Sequence, residues 1–213
     1  MQYALEILPS LLKGASLTLQ VFAFVLILSI PLGIVVAFLL QLRSKILHGL
    51  LTIYIWIMRG TPLLLQLIFI YYVLPSIGIR IDRLPAAITA FTLNYAAYFA
   101  EIYRSGIASM PKGQYEAAKV LGYSRTQTFF TIILPQVIKR ILPSVTNEVI
   151  TLVKDTSLAF SIAYAEMFTQ AKALAASQKS MVPFVAAAVF YYIFNFVVAA
   201  IMEFFEKKMA YYQ

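Results

Sequence analysis

The sequence has no cysteine and a single histidine, His48. Disulfides, thiolate metal sites and cysteine nucleophiles are therefore excluded. His48 stands near Arg43 and Lys45, which marks it as a membrane-interface residue rather than a metal ligand. Charge is also scarce. Only 12% of the residues are charged, against about 25% in soluble domains. A soluble fold of this size would have too few polar side chains to cover its surface. Acidic residues are fewest, with 9 Asp and Glu against 17 Lys and Arg, for a net charge of +8. The cations are scattered between apolar runs, which fits the loops of a membrane protein better than a nucleic-acid face. No G-x-x-x-x-G-K-[ST] occurs among the eight glycines, so the chain lacks a phosphate-cradling loop of its own.

What is abundant is apolar surface. The 213 residues are 62% hydrophobic, with a mean hydropathy of +0.83. These values predict one all-α membrane domain. The opening MQYALEILPSLLKG carries no early cation, unlike a cleaved signal peptide. Its Leu5, Leu8, Leu11 and Leu12 recur at helical spacing, which predicts a short amphipathic helix lying on the membrane and ending near Gly14.

A spanning helix needs about 20 apolar residues. Five stretches meet this, at 16–42, 47–75, 84–105, 140–166 and 183–205. One set of connecting segments collects Arg43, Lys45, Arg104, Lys112, Lys119, Arg125, Lys139, Arg140, Lys207 and Lys208. The opposite set has Lys13, Arg80, Arg83, Lys172 and Lys179. The excess of positive charge predicts that the first set is cytoplasmic. The N-terminus is then outside, and the C-terminus and segment 106–139 are inside.

Segment 106–139 is a polar island. Pro111 and Gly113 break the chain, Gln114 to Leu121 can form two helical turns, and Gly122 is a natural helix stop. Ser124 with Gln127 fits a capping box that opens a second helix. Pro135 is expected to disrupt the backbone before the fourth span. Phe129 and Phe130 are expected to pack the loop on the bundle. Ala117 and Ala118 are small enough for another surface to approach closely. An ordinary solvated loop is the plain alternative.

The island also carries a resemblance. Glu116, Ala117, Ala118, Gly122, Ile132, Leu134 and Pro135 stand at the spacing E-A-A, three residues, G, nine residues, I-x-L-P. This pattern resembles the EAA loop of permease subunits of ATP-binding-cassette importers. RGTPLLLQL at 59–67, YFAEIYRSGIASMPKGQYEAA at 98–118 and NEVITLVKDTSL at 147–158 resemble the polar amino acid branch, which serves histidine, glutamate, glutamine and arginine. The resemblance implies that the island between the third and fourth of the five expected spans is a cytoplasmic coupling helix. It implies that Glu116, Ala117, Ala118, Leu121 and Gly122 dock on an ATPase. It further implies two cytoplasmic ATPase subunits that hold ATP and Mg, a second permease subunit and an extracytoplasmic binding protein. The chain itself would carry no cofactor and no catalytic residue. It would sit in the inner membrane with an amino acid substrate, the lipid bilayer and no nucleic acid as its partners. A second copy of this chain is the preferred second permease, because the polar stripe described next looks complete.

Polar groups within the apolar runs supply a candidate pathway. Charged side chains inside a span are costly and usually face a cavity or a partner. In span four, Glu148 and Asp155 lie two turns apart on one face, with Thr151 between them. Lys154 can neutralise one acid in a purely structural network, which leaves the other acid over. In span two, Arg59, Gly60, Thr61 and Pro62 predict a broken helix, with Thr61 capping and Pro62 opening a second half. The positive end of that half-helix suits a substrate carboxylate. A plain proline kink is the alternative. In span three, Asn94 and Tyr98 share a face and could hydrogen-bond the substrate, while Glu101 is expected to pair with Arg104. The predicted substrate-binding set is thus Arg59, Gly60, Thr61, Asn94, Tyr98, Glu148, Thr151 and Asp155. The span-four charges favour a basic amino acid, arginine, lysine or histidine. Glutamine or glutamate is the alternative substrate. A non-transporting membrane anchor and a symmetric channel are the rival functions.

Overall fold

A computed structural model describes the backbone of residues 2–209 and the side chains of residues 6–209, and among them the only regular structure is helical. The helices are α1 (Gln2–Leu39), α2 (Lys45–Gly60), α3 (Leu63–Ile68), α4 (Arg83–Ala108) and α5 (Lys112–Val120). They continue with α6 (Arg125–Gln127), α7 (Leu134–Asp155), α8 (Met167–Gln178) and α9 (Val182–Met209). Short π and 3₁₀ turns extend α3 to Ile77, join α6 to α7, and extend α7 to Ile162.

The expected surface helix and first span are one helix. α1 runs through Gly14 without a stop. Gly14 is needed for a different reason. A Cβ placed there would lie 2.9 Å from Met167 Cα and 2.9 Å from the Gln170 side chain, so glycine lets α8 cross α1 closely. The segment expected to be a loop before span five folds as α8 and packs against both α1 and α9. Its start is held by Glu166, which is fully buried. The Glu166 carboxylate accepts from the N–H of Phe168 at 2.7 Å and of Thr169 at 2.6 Å, from Thr169 Oγ1 at 2.7 Å, and from Tyr191 Oη at 2.9 Å. Met167 N–H donates to Thr18 Oγ1 on α1 at 3.0 Å. One acid thereby fastens α8 to α9, beside a bond to α1.

The expected second span is broken. α2 and the helical run Leu63–Ile77 meet at 108°. The 16 residues of α2 reach about 24 Å, short of the ~30 Å hydrocarbon core, so neither half alone is a full crossing. Three helical runs, Glu6–Leu39, Arg125–Ile162 and Val182–Met209, are each long and apolar enough to cross. The bent pair, taken as one span, makes a fourth.

α4 matches the position expected for span three, yet it is the interior helix. It packs on α1, α2, α3 and α7. Phe91, Tyr95, Ala96, Phe99 and Ala100 are all fully buried. A helix surrounded by protein need not be apolar on every side. This is why α4 is long enough to cross, at 26 residues, without the hydropathy of the three outer runs.

The first helix and turn of the polar island are present, and the second helix opens at Arg125 as expected, but it runs on without a break to Ile162. Pro135 does not interrupt it. Residues Thr128–Ile133 wind as a π-helix, and Pro135 falls in the first turn of α7. Leu134 N–H bonds to Phe129 O in the π register, and this local change of register accommodates the proline ring and its missing N–H inside a continuous helical run.

Candidate functional site

The site is built around the break between α2 and α3. Pro62 has no N–H, so the carbonyl of Met58 loses its helical donor. Two side chains replace it. Asn94 Nδ2 donates to Met58 O at 2.8 Å, and Gln66 Nε2 donates to the same oxygen at 3.0 Å. Asn94 also donates to Gln66 Oε1 at 2.9 Å. Gln66 Nε2 lies 2.8 Å from Thr61 Oγ1 and 3.2 Å from Thr61 O. Thr61 does not cap the second half-helix as expected. Its hydroxyl donates back to Ile57 O at 2.7 Å, and Pro62, in extended geometry, occupies the cap position of α3. Arg59, Gly60, Thr61 and Pro62 are exposed, and a Cβ at Gly60 would touch nothing within 4 Å. The break therefore presents open backbone on one side and a satisfied amide network on the other.

Beside the break, the Arg59 guanidinium lies 5.3 Å from the Tyr98 ring centre. Arg59 Nη1 is 3.9 Å from Glu101 Oε1. Glu101 makes the expected pair with Arg104, in two-pronged form at 2.8 and 2.6 Å. Arg59, Glu101 and Arg104, with His48, Thr52 and Trp56, line a cavity of about 210 Å³. His48 bonds through Nδ1 to Leu40 O at 3.0 Å, which joins the ends of α1 and α2.

On the far side of α4, Tyr95 Oη donates to Asp155 Oδ2 at 2.7 Å. Glu148 and Asp155 are half-buried, whereas Asn147 and Lys154 on a neighbouring face of α7 are exposed. Glu148 is within electrostatic reach of Arg59 and of Asp155. Thr151 Oγ1 donates to Asn147 O at 2.8 Å. The expected residues thus fall into two linked groups. Arg59, Gly60, Thr61, Asn94 and Tyr98 gather at the break, and Glu148, Thr151 and Asp155 stand on α7, with Tyr95 as the bridge. The amide donors of Asn94 serve Met58 O and Gln66 Oε1 at the break. Sequence reasoning passed over Gln66 and Tyr95. The signal for Gln66 was a lone amide in the apolar run LLLQLIFI. Tyr95 had none beyond its place next to Asn94.

The island forms a separate surface. Gly122 has φ +82°, where glycine is strongly preferred. Tyr123 N–H donates to Ala118 O at 3.0 Å and Gly122 N–H to Lys119 O at 3.1 Å, a double-bonded helix stop. Ser124 and Gln127 then make the expected reciprocal cap. Glu116 and Ala117 are exposed, but Ala118 faces inward and is buried. Val120 is 87% exposed and Leu121 74%. Phe130 too is 61% exposed, while Phe129 packs on the bundle. An apolar tip on a polar segment is a surface suited to another protein.

Comparison with known proteins fits this arrangement. Residues 29–211 match the family described as binding-protein-dependent transport system inner membrane component. The L-cystine transport system permease protein TcyB of Bacillus subtilis is 34% identical over 203 residues, covering 94% of this chain and 87% of that protein. The glutamine transport system permease protein GlnP of Escherichia coli K12 is 35% identical over 205 residues, covering 95% and 94%. A crystal structure of an amino acid ABC transporter with histidines superposes with a TM-score of 0.91 at 29% identity, covering 97% of both chains. The chain belongs to the family of inner membrane components of binding-protein-dependent transport systems, within the branch of amino acid ATP-binding-cassette permeases.

Proposed function

We propose that the chain imports a polar amino acid with a cationic side chain, arginine, lysine or histidine. One observation carries this reading. Glu148 and Asp155 are both half-buried on one side of α7, while Lys154 is exposed on another. The ion pairs at Glu101 and Glu203 engage Arg59, Arg104 and Lys207 and leave these two acids to other work. The open backbone at Gly60 and Thr61 would take the substrate carboxylate, and Tyr98, Thr151 and the two acids its cationic groups. A neutral amino acid such as glutamine is the second reading. It is favoured by Arg59, whose charge reaches Glu148 and reduces the local excess of negative charge. The relatives are named for cystine and for glutamine, and the solved structure is of an amino acid transporter with histidines.

In this reading the chain crosses the bilayer five times, counting α4 and the bent pair, with its N-terminus outside. It pairs with a second permease, here a second copy, and receives substrate from an extracytoplasmic binding protein. Two ATPase subunits, holding ATP and Mg, engage Glu116, Ala117, Leu121 and Gly122, with Ala118 supporting α5 from beneath. Their closure moves α5 and the helix that follows it, and turns the cavity from outside to inside. The chain does no covalent chemistry. Uptake of arginine, lysine, histidine, glutamine and glutamate tests the substrate, on wild type, Glu148→Gln and Asp155→Asn. Basic substrates should lead in wild type and fall about tenfold or more in both variants. A preference for glutamate, or unchanged arginine uptake in both variants, overturns the cationic reading.

A further inference from the structure

Two cavities outside the substrate site lie side by side. The first is an apolar groove of about 570 Å³ between the C-terminal part of α1, the end of α4 and the start of α7. Val35, Phe38, Phe129, Phe130, Leu134 and Ile138 line it. Val35, Phe38 and Phe130 are each more than half exposed, so the groove faces outward from the bundle. Its α1 wall runs from Ile34 to Phe38, about 6 Å along the helix. The second is a more polar cavity of about 630 Å³ beside α5, lined by Tyr115, Lys119, Tyr123, Ser124 and Arg125 among others. Gln41, Ile107 and Phe129 line both, so the two adjoin. No acidic residue lines either cavity.

We infer that this composite pocket binds an anionic phospholipid of the leaflet on the α5 side, with an acyl chain in the groove and the phosphate between Lys119 and Arg125. α1 and the run Arg125–Ile162 are both long and apolar enough to cross a bilayer, so the groove lies where an acyl chain would be. Its polar end is lined by two cations and by three hydroxyl groups, on Tyr115, Tyr123 and Ser124. This is the donor set that a phosphodiester needs. The order from apolar to polar along the pocket is that of a lipid entering from the bilayer. A free anion would use only the polar half. The lipid would touch α5 and the start of α6 together, and so brace the island against the bundle.

Native mass spectrometry of the full-length permease tests this, with phosphatidylglycerol, phosphatidylcholine and inorganic phosphate as probes. Each cation near the surface favours an anionic lipid about fivefold, and the two together about thirtyfold. Wild type should therefore retain phosphatidylglycerol about thirtyfold better than phosphatidylcholine. Lys119→Ala and Arg125→Ala should each lower that ratio about fivefold, and Lys208→Ala, far along α9, should leave it unchanged. Val35→Trp should lose both lipids by filling the groove, and its exposed position keeps the fold intact. Equal retention of the two lipids overturns the proposal. So does a preference that survives both cation variants, or displacement of the lipid by inorganic phosphate at equal concentration. Unchanged lipid retention in Val35→Trp would show that the chain lies elsewhere, and would overturn it as well.

Discussion

The side-chain amide of Asn94 on α4 donates at 2.8 Å to the carbonyl of Met58 on α2, the carbonyl that Pro62 leaves without a helical donor. An interior helix thus supplies what the broken helix lacks. This relationship holds the α2–α3 corner open and ties its position to α4. Asn94→Leu should leave Met58 O and Gln66 short of a partner. A buried polar group left unpaired costs about 1–3 kcal/mol. The thermal unfolding midpoint of the purified permease should fall by several degrees, and transport should fall with it. An unchanged midpoint would mean that Gln66 alone holds the break.

The backbone at Gly60 is open, and a Cβ added there would have no neighbour within 4 Å. Gly60→Leu should therefore fold normally and block transport by covering the approach to the break. Thermal stability should stay within about 0.5 kcal/mol of wild type. If Gly60→Leu transports normally, the break does not receive the substrate. A carboxyl-amidated amino acid gives a second measure. Transport of it at the parent's rate would remove the substrate carboxylate from this site.

Gly122 and Gly113 lie in the same island and should respond oppositely to substitution. Gly122 sits at φ +82°, so Gly122→Val forces a β-branched residue into a disfavoured backbone region, costing about 1–3 kcal/mol locally. Gly113, inside α5, has open space around it and no such backbone demand. Gly113→Ala should stabilise α5 by about 0.5–1 kcal/mol. Amide hydrogen exchange over residues 112–124 would read both effects. Faster exchange in Gly113→Ala would contradict this account.

Glu116 is exposed on α5, and the proposed function has it face the ATPase rather than the bundle. Glu116→Lys should leave membrane levels and thermal stability unchanged while transport falls at least tenfold, because a reversed charge at a desolvated contact costs several kcal/mol. ATPase activity in the assembled transporter should lose its response to substrate. Full transport in this variant would place the coupling contact elsewhere.

Glu166 is the one fully buried acid among the described residues, and its four donors come from α8 and α9. Glu166→Ala should cost about 3 kcal/mol or more, since it leaves Tyr191 and two helix-terminal N–H groups without an acceptor. Glu166→Gln keeps the acceptor oxygen and should cost less. Equal losses in the two variants would indicate that packing, not hydrogen bonding, is what the residue supplies.

The membrane class, the helix stop at Gly122 and the reciprocal cap of Ser124 and Gln127 follow from sequence alone, because each depends on composition or on residues within one turn. The break at Pro62 is of the same kind, since a missing N–H is a local fact. The fate of Gly14 and Pro135 was not legible. Gly14 reads as a stop until α8 is seen crossing it, and Pro135 reads as a breaker until the π turn before it absorbs the strain. The 108° angle of the broken helix, the rescue of Met58 O by Asn94 and Gln66, and the Tyr95–Asp155 bond were decided by tertiary structure. Each of these bonds joins residues 8 to 60 positions apart. A freed carbonyl or a buried acid dictates that some donor must come. Which donor comes is set by the helices that pack alongside.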